Sequence, residues 1–397
     1  MAAKARVRQF WISVHRWLGL ATLAFLLVAA ITGCFLCVDH RVDAALNPDL
    51  FDSRGTGPLL APIAAAERFE RAHPNIVVTR VPLHPAPGRT IQLDVAPRSA
   101  GTRLGFDQLF LDPHGGAIAG VRENRAGWGR RHIVQGVFRF HYTLLAGNWG
   151  RWLMGVAALG WLIGNAVGLY ITFPAAGPFW RQWKKSWTIS RGARLRRFML
   201  ELHRASGLWL LAGAMVLAFT SVAMNFYDEA FIPIVDRLSP ARPSPFDRPA
   251  SPAGAAPRID FADALGKASA VAAQRRLDWQ PATIAWLPDR RLYEVSFTDD
   301  GVENYHRLGP VSYYLDGASG RLVYADDPYR DSAGRKLTRS LYPLHSGSVA
   351  GAAGIAIIFL LGLATAEMCI TGAYTWWKKR QSRRAMEQAK RAARAPA

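Results

Sequence analysis

The chain has 397 residues, of which half are apolar and 14 are tryptophan, and its 49 Lys and Arg against 29 Asp and Glu give a formal charge of +20. So basic a composition invites a nucleic-acid reading. However, three short pieces that flank long apolar stretches, Met1 to Arg16, Pro174 to Arg204 and Lys378 to Ala397, hold 20 basic residues against only Glu201 and Glu387, which is 18 of the 20 net charges. The charge is topological, and a nucleic-acid partner is excluded.

Four stretches are apolar over the roughly 20 residues that a helix needs to cross a bilayer: Trp17 to Val38, Trp152 to Phe173, Ala205 to Phe226 and Ser348 to Trp377. Basic loops resist translocation, so both termini and the loop between the second and third spans are expected in the cytoplasm, with the two large connecting segments outside. The expected order is 1–40, cytoplasmic N-terminus and first span; 41–147, first exported domain; 148–174, second span; 175–203, basic cytoplasmic loop; 204–227, third span; 228–346, second exported domain with a Pro-rich insertion at 238–258; 347–377, fourth span; and 378–397, basic cytoplasmic tail. Trp11, Trp17, Trp149, Trp152, Trp376 and Trp377 flank the spans as interfacial belts do. The three cysteines, Cys34, Cys37 and Cys369, fall within spans, so no disulfide framework is implied. Cys34 and Cys37 form a C-x-x-C, but Val38 follows where covalent haem attachment needs His. Ile31-Thr32-Gly33-Cys34 resembles a lipoprotein cleavage site, and cleavage there would delete the first helix, a partner in the repeat described next.

The run Phe10 to Leu20 (FWISVHRWLGL) matches Phe198 to Leu208 (FMLELHRASGL) at an offset of 188, and Leu-Asp-Pro-His-Gly-Gly from Leu111 matches Leu-Asp-Gly-Ala-Ser-Gly from Leu315 at an offset of 204. His141 and His345, Gly150 and Gly354, Gly168 and Gly372, and Tyr170 and Tyr374 keep the second offset. Each half therefore reads helix, exported domain, helix. In each exported domain a helical pattern (Pro62 to Ala72; Asp260 to Ala270) precedes short alternating runs: Thr90 to Val95, Gln108 to Asp112 and Ala117 to Val121 in the first, and Leu292 to Thr298, Val311 to Asp316 and Arg321 to Tyr324 in the second. Period-two alternation bounded by Asp and Gly predicts hairpin strands. The fold class expected is an internally duplicated four-helix membrane bundle with two small α+β modules.

These motifs resemble the PepSY-associated transmembrane proteins: the two Leu-Asp turns resemble the strand-turn-strand of PepSY domains, and the paired His-Arg-x-x-Gly-Leu resembles the family's first and third helices. The similarity covers about Phe10 to Lys379. It implies kinship with bacterial inner-membrane ferric-siderophore reductases, which hold two b-type haems in the bundle.

The residues support that chemistry on their own terms. A haem b site takes axial imidazoles from facing helices. His15 and His203 occupy equivalent places at the cytoplasmic ends of helices, and His141 and His345 equivalent places at the outer ends, which gives two pairs, one per membrane face, and an expectation of two haems b. Gly19 and Gly207 follow their His by four residues and share its face, where a macrocycle approaches the backbone; Arg16 and Arg204 are expected partners for propionates. Glu367, the only carboxylate well inside a span, is a candidate for a proton or quinol site, with a pairing to Asn165 as the plainer alternative. His40 is a lower-ranked alternative ligand, since the equivalent position in the other half is Asp228, and His132 has no counterpart. His73, His84, His114 and His306 are expected on the surface of the exported domains.

On the outer face Arg139, Tyr142 and Tyr342 are candidates to contact a periplasmic ferric-siderophore in a cleft between the modules. Catecholate and hydroxamate oxygens prefer Fe(III), so reduction releases the iron. No G-x-G-x-x-G follows a strand, so the electron donor is a separate cytoplasmic reductase or a quinol. Two competing readings are a non-enzymatic PepSY sensor or inhibitor, which needs no imidazole in the bundle, and an iron-chelate permease, which favours polar residues at mid-depth.

Overall fold

The computed structural model describes residues 2–99, 101–240, 242–247, 249 and 256–392. Among the described residues three helices are long and apolar enough to cross a membrane, spanning Ala5–Leu36, Gly147–Thr172 and Ser348–Arg391, and the bent pair Leu195–Trp209 and Leu211–Asn225 makes a fourth if the two helices count as one span. This is a membrane protein with an α+β part outside the bundle. The helices used below are α1 (Ala2–Leu36), α2 (Pro62–Ala72), α3 (Ile133–Thr143), α4 (Gly147–Thr172), α5 (Leu195–Trp209), α6 (Leu211–Asn225), α7 (Phe261–Gln274), α8 (Ala333–Ser346) and α9 (Gly351–Ala392). The strands are β1 (Ile76–Pro82), β2 (Ile91–Pro97), β3 (Gln108–Leu111), β4 (Ile118–Arg122), β5 (Gln280–Leu287), β6 (Leu292–Thr298), β7 (Val311–Asp316) and β8 (Leu322–Asp326).

Two features of the helices differ from the sequence expectation. The third span is not one straight helix: α5 and α6 meet at Leu210 with a bend of 70°, whereas α1 runs unbroken through the equivalent position, Thr22. His141 and His345 do not lie on spans either. They sit on α3 and α8, separate helices that end just before α4 and α9 begin. Leu144, Leu145 and Gly147 at the first junction, and Gly347 and Gly351 at the second, all have positive φ, a left-handed turn that stops one helix and re-aims the next.

The strands expected from alternation are present, with ends shifted by a few residues. Two more, β1 and β5, lie between them in space and join the modules. All eight strands are antiparallel in one sheet of order β4-β3-β2-β1-β5-β6-β7-β8, with Arg80, Val81 and Pro82 opposite Ala285, Ile284 and Thr283 at the seam. A lone four-stranded module would leave β1 or β5 as a bare edge, and pairing them satisfies both rows of backbone groups. One core serves both modules: Ala65, Ala66 and Phe69 of α2 and Phe261, Ala264 and Ala268 of α7 pack on Val78, Leu93, Ile284, Val295 and Tyr313. An Arg80–Glu303 ion pair and a His84 Nδ1 contact with the Gly301 carbonyl cross the seam. The modules are therefore joined edge to edge.

The repeated Leu-Asp turns owe their form to the aspartates. Asp316 Oδ1 accepts from the N–H groups of Ala318 and Ser319, while Gly320 returns its N–H to the Asp316 carbonyl. Asp112 does the same for His114 and Gly116, and its other oxygen accepts from the N–H groups of Arg54 and Gly55. Burial works against ionisation of Asp112, but these N–H groups and the Ser53 hydroxyl outweigh it and hold the carboxyl at about 2. Its contribution is fully present above its unfolded value of about 4 and is lost as pH falls toward about 2. Asp112→Ala is expected to destabilise the sheet by about 3 kcal/mol and to flatten the acid limb of its thermal midpoint, followed by circular dichroism.

Of the Pro-rich insertion, Pro245–Asp247 forms a single helical turn, and 241, 248 and 250–255 lie outside the described residues. His114 is half-buried beside Ser53 and Asp112, not a free surface residue, and His73 stacks on Phe69.

Candidate functional site

In the bundle α1 packs against α4 and α9, α4 against α1 and α6, and α9 against α1 and α5. The first span and the bent third span are thus at opposite corners, as are the second and fourth. His15 on α1 and His203 on α5 reach each other across one diagonal, with ring centroids 6.3 Å apart. His141 on α3 and His345 on α8 do the same at the sheet end, 6.2 Å apart. Along α1, His15 and the Thr32 that touches His141 are separated by about 25 Å at 1.5 Å per residue.

The partners of the four rings fix their chemistry. His15 Nδ1 lies 3.0 Å from the Gly164 carbonyl of α4, and His203 Nδ1 3.0 Å from the Met368 carbonyl of α9. A carbonyl only accepts, so both Nδ1 atoms carry the proton. Thr32 and Thr220 lie 2.8 and 3.0 Å from His141 and His345 Nδ1. Each threonine already donates its hydroxyl hydrogen up its own helix, to the Val28 and Val216 carbonyls, so each accepts from the imidazole. All four rings are set as the Nδ1–H tautomer, and among the described residues none has a hydrogen-bond partner on Nε2, the form that binds a metal, with the other nitrogen oriented by a hydrogen bond. Gly164 and Met368 share the 204 offset and Thr32 and Thr220 the 188 offset, so the orienting contacts repeat with the rings they hold.

Glycines clear room for the imidazoles. A Cβ at Gly168 or Gly372 would stand 3.1 or 3.2 Å from Cε1 of His15 or His203, and one at Gly33 3.3 Å from Cε1 of His141. Nδ1 and Cε1 of these rings are thus held against the neighbouring helix, and the partner ring lies 6.3 or 6.2 Å away, centroid to centroid. Two imidazoles sharing one metal ion, with bonds of about 2 Å and ring centres about 1 Å behind each nitrogen, have centroids roughly 6 Å apart. Each pair is spaced to hold one ion in that way.

The remaining candidates divide. Gly19 faces open space, but Gly207 is covered by the Met368 methyl, 3.3 Å from where a Cβ would be. Arg16 has a buried Nε with no partner and its guanidinium lies over Trp17. Arg204 is engaged, donating to the Lys185 and Ser186 carbonyls of the basic loop, because that loop folds back under α5. Glu367 and Asn165 do not pair: Glu367 Oε1 and Asn165 Nδ2 are both buried without a partner. His40 is exposed on the helix Asp39–Leu46. His132 precedes α3 with its Nδ1 buried and unpaired. Arg139, Tyr142 and Tyr342 lie on the same two helices as the sheet-side rings and are exposed; Tyr142 packs on Phe138 and Tyr342 on Tyr305.

Thr32 and Thr220 are the site residues that sequence reasoning passed over, although both fall at equivalent positions of the repeat. None of the curated proteins compared with the chain matches it. The model of the PepSY-associated TM region matches residues 12–379, nearly the whole sequence, and the chain belongs to that family.

Proposed function

We propose that this membrane protein is an oxidoreductase that holds two b-type haems, one between His15 and His203 and one between His141 and His345, and passes electrons across the bacterial inner membrane to a ferric chelate, such as a ferric siderophore, in the periplasm. The observation that carries the reading is the common state of the four imidazoles: every Nδ1 is tied to an acceptor and, among the described residues, no Nε2 has a hydrogen-bond partner, in two pairs spaced for one ion each. A haem bound there supplies a one-electron Fe(III)/Fe(II) couple.

The chain's residues do the rest. The Gly164 and Met368 carbonyls and the Thr32 and Thr220 hydroxyls orient the ligands and raise their basicity. Gly168, Gly372 and Gly33 let the rings seat against the helices. Arg16, with its unpaired Nε, suits a propionate carboxylate, a role for which Arg204 has fewer donors left. The three basic pieces orient the His15 level toward the cytoplasm. At the sheet end Arg139, Tyr142 and Tyr342 offer a cation and two hydroxyls within three residues of the outer rings, a surface suited to an anionic chelate.

Protein reduced with dithionite under nitrogen, freed of excess reductant and mixed with a ferric hydroxamate, is expected to re-oxidise with one Fe(II) trapped per electron. Failure with hydroxamate, catecholate and citrate complexes alike would overturn the proposed acceptor.

A further inference from the structure

Glu367 is a carboxylate on a lipid-facing stripe. Leu360, Leu363 and Ile370, at seven and four residues before it and three after, share its side of α9 and are 61, 49 and 61 % exposed. Yet its Oε1 is buried with no hydrogen-bond partner, because α5 lies across it. Ser206 of α5 and Thr371 of α9 bring their hydroxyls within weak hydrogen-bonding reach of the carboxyl, too far to give Oε1 a close donor, and Gly207 abuts Met368. The α5–α6 break at Leu210 is four residues from Ser206. The equivalent position in the other half is Ile163, an exposed apolar residue, so the acid belongs to one side of the bundle only. Thr371 lies between Glu367 and the inner ring pair: its hydroxyl is 3.1 Å from His203 Nδ1 and donates to the main-chain carbonyl of Glu367.

An acceptor without a close donor in hydrocarbon is costly, and a molecule that satisfies it brings a donor through the lipid. Headgroup phosphates are excluded twice, by their negative charge and by depth, since the interfacial Trp376 and Trp377 lie about 14 Å further along the helix. We propose that Glu367, with Ser206, binds a hydroxyl of a lipid-borne hydroquinone, and that this hydroquinone is the electron donor; the second half of the statement rests on the redox reading above. Oxidation to the quinone breaks two O–H bonds and yields two protons and two electrons, which the two one-electron groups held by the histidine pairs would accept. Glu367 takes the proton of the hydroxyl it holds, and the other leaves to the cytoplasmic water.

The test uses full-length protein in phosphatidylcholine nanodiscs with decyl-hydroquinone and a photoreactive azido-decylquinone. Saturable labelling of the peptides containing Ser206 or Glu367 is expected, competed by plain decylquinone. Glu367→Leu should weaken it about tenfold, the equivalent of about 1.4 kcal/mol. Glu367→Gln, which still accepts a hydrogen bond, should keep labelling within about threefold, while reduction of the haem bands by decyl-hydroquinone slows at least about tenfold. Unsaturable labelling, or labelling unchanged in Glu367→Leu, overturns the site. Bands that dithionite reduces and decyl-hydroquinone does not overturn the donor but leave the redox reading intact; absence of bands with dithionite overturns that reading and with it the donor, while the labelling still decides the binding site.

Discussion

Full-length protein carrying His203→Ala is expected to lose one of two low-spin b-type centres and keep the other. The two ring pairs share no ligand and are held by different contacts, His203 by Met368 and Thr371 on α9, His345 by Thr220 on α6. The porphyrin content should fall from two to about one per chain, and a potentiometric titration should change from two steps to one. His345→Ala should delete the other step. His40→Ala, on an exposed helix, should delete neither. A redox titration followed at the α-band separates these outcomes.

Gly354→Ala is expected to prevent assembly of the bundle. A Cβ at Gly354 collides with the Gly347 backbone carbonyl, and one at its repeat partner Gly150 collides with the Thr143 carbonyl. In each half the span begins against the last turn of the short helix that carries the sheet-side histidine, so the obstacle is backbone and cannot rotate away. The cost should exceed about 4 kcal/mol, with loss of the monodisperse species on size exclusion. Gly266→Ala in α7, where a Cβ meets nothing within 4 Å, should instead stabilise the sheet by roughly 0.5–1 kcal/mol.

Much of this arrangement was legible in the residues because duplication prints each contact twice. Two offsets, 188 and 204, were enough to pair His15 with His203 and His141 with His345, and the structure brings the same rings together. The fused sheet was hidden for a local reason: the Ile76-Val77-Val78-Thr79 run is continuous rather than alternating, as a strand inside a sheet is, and only its β-branched content marked it. The bend at Leu210 was not legible because the glycine three residues before it, Gly207, has its repeat counterpart Gly19 in a helix that runs unbroken. The carbonyls of Gly164 and Met368 are backbone groups that any sequence supplies, so no residue type could point to them. Arg204 looked equivalent to Arg16 by motif, but a loop brought in by the fold takes its donors.

The most direct measurement is low-temperature electron paramagnetic resonance of the oxidised full-length protein purified from haem-replete membranes, with porphyrin counted on the same sample. The ring planes of the two pairs cross at 68° and 63°, far from parallel, so two strongly anisotropic low-spin ferric signals and two b-type haems per chain are expected. A colourless preparation, or one with a single high-spin signal, contradicts the claim that both histidine pairs bind iron.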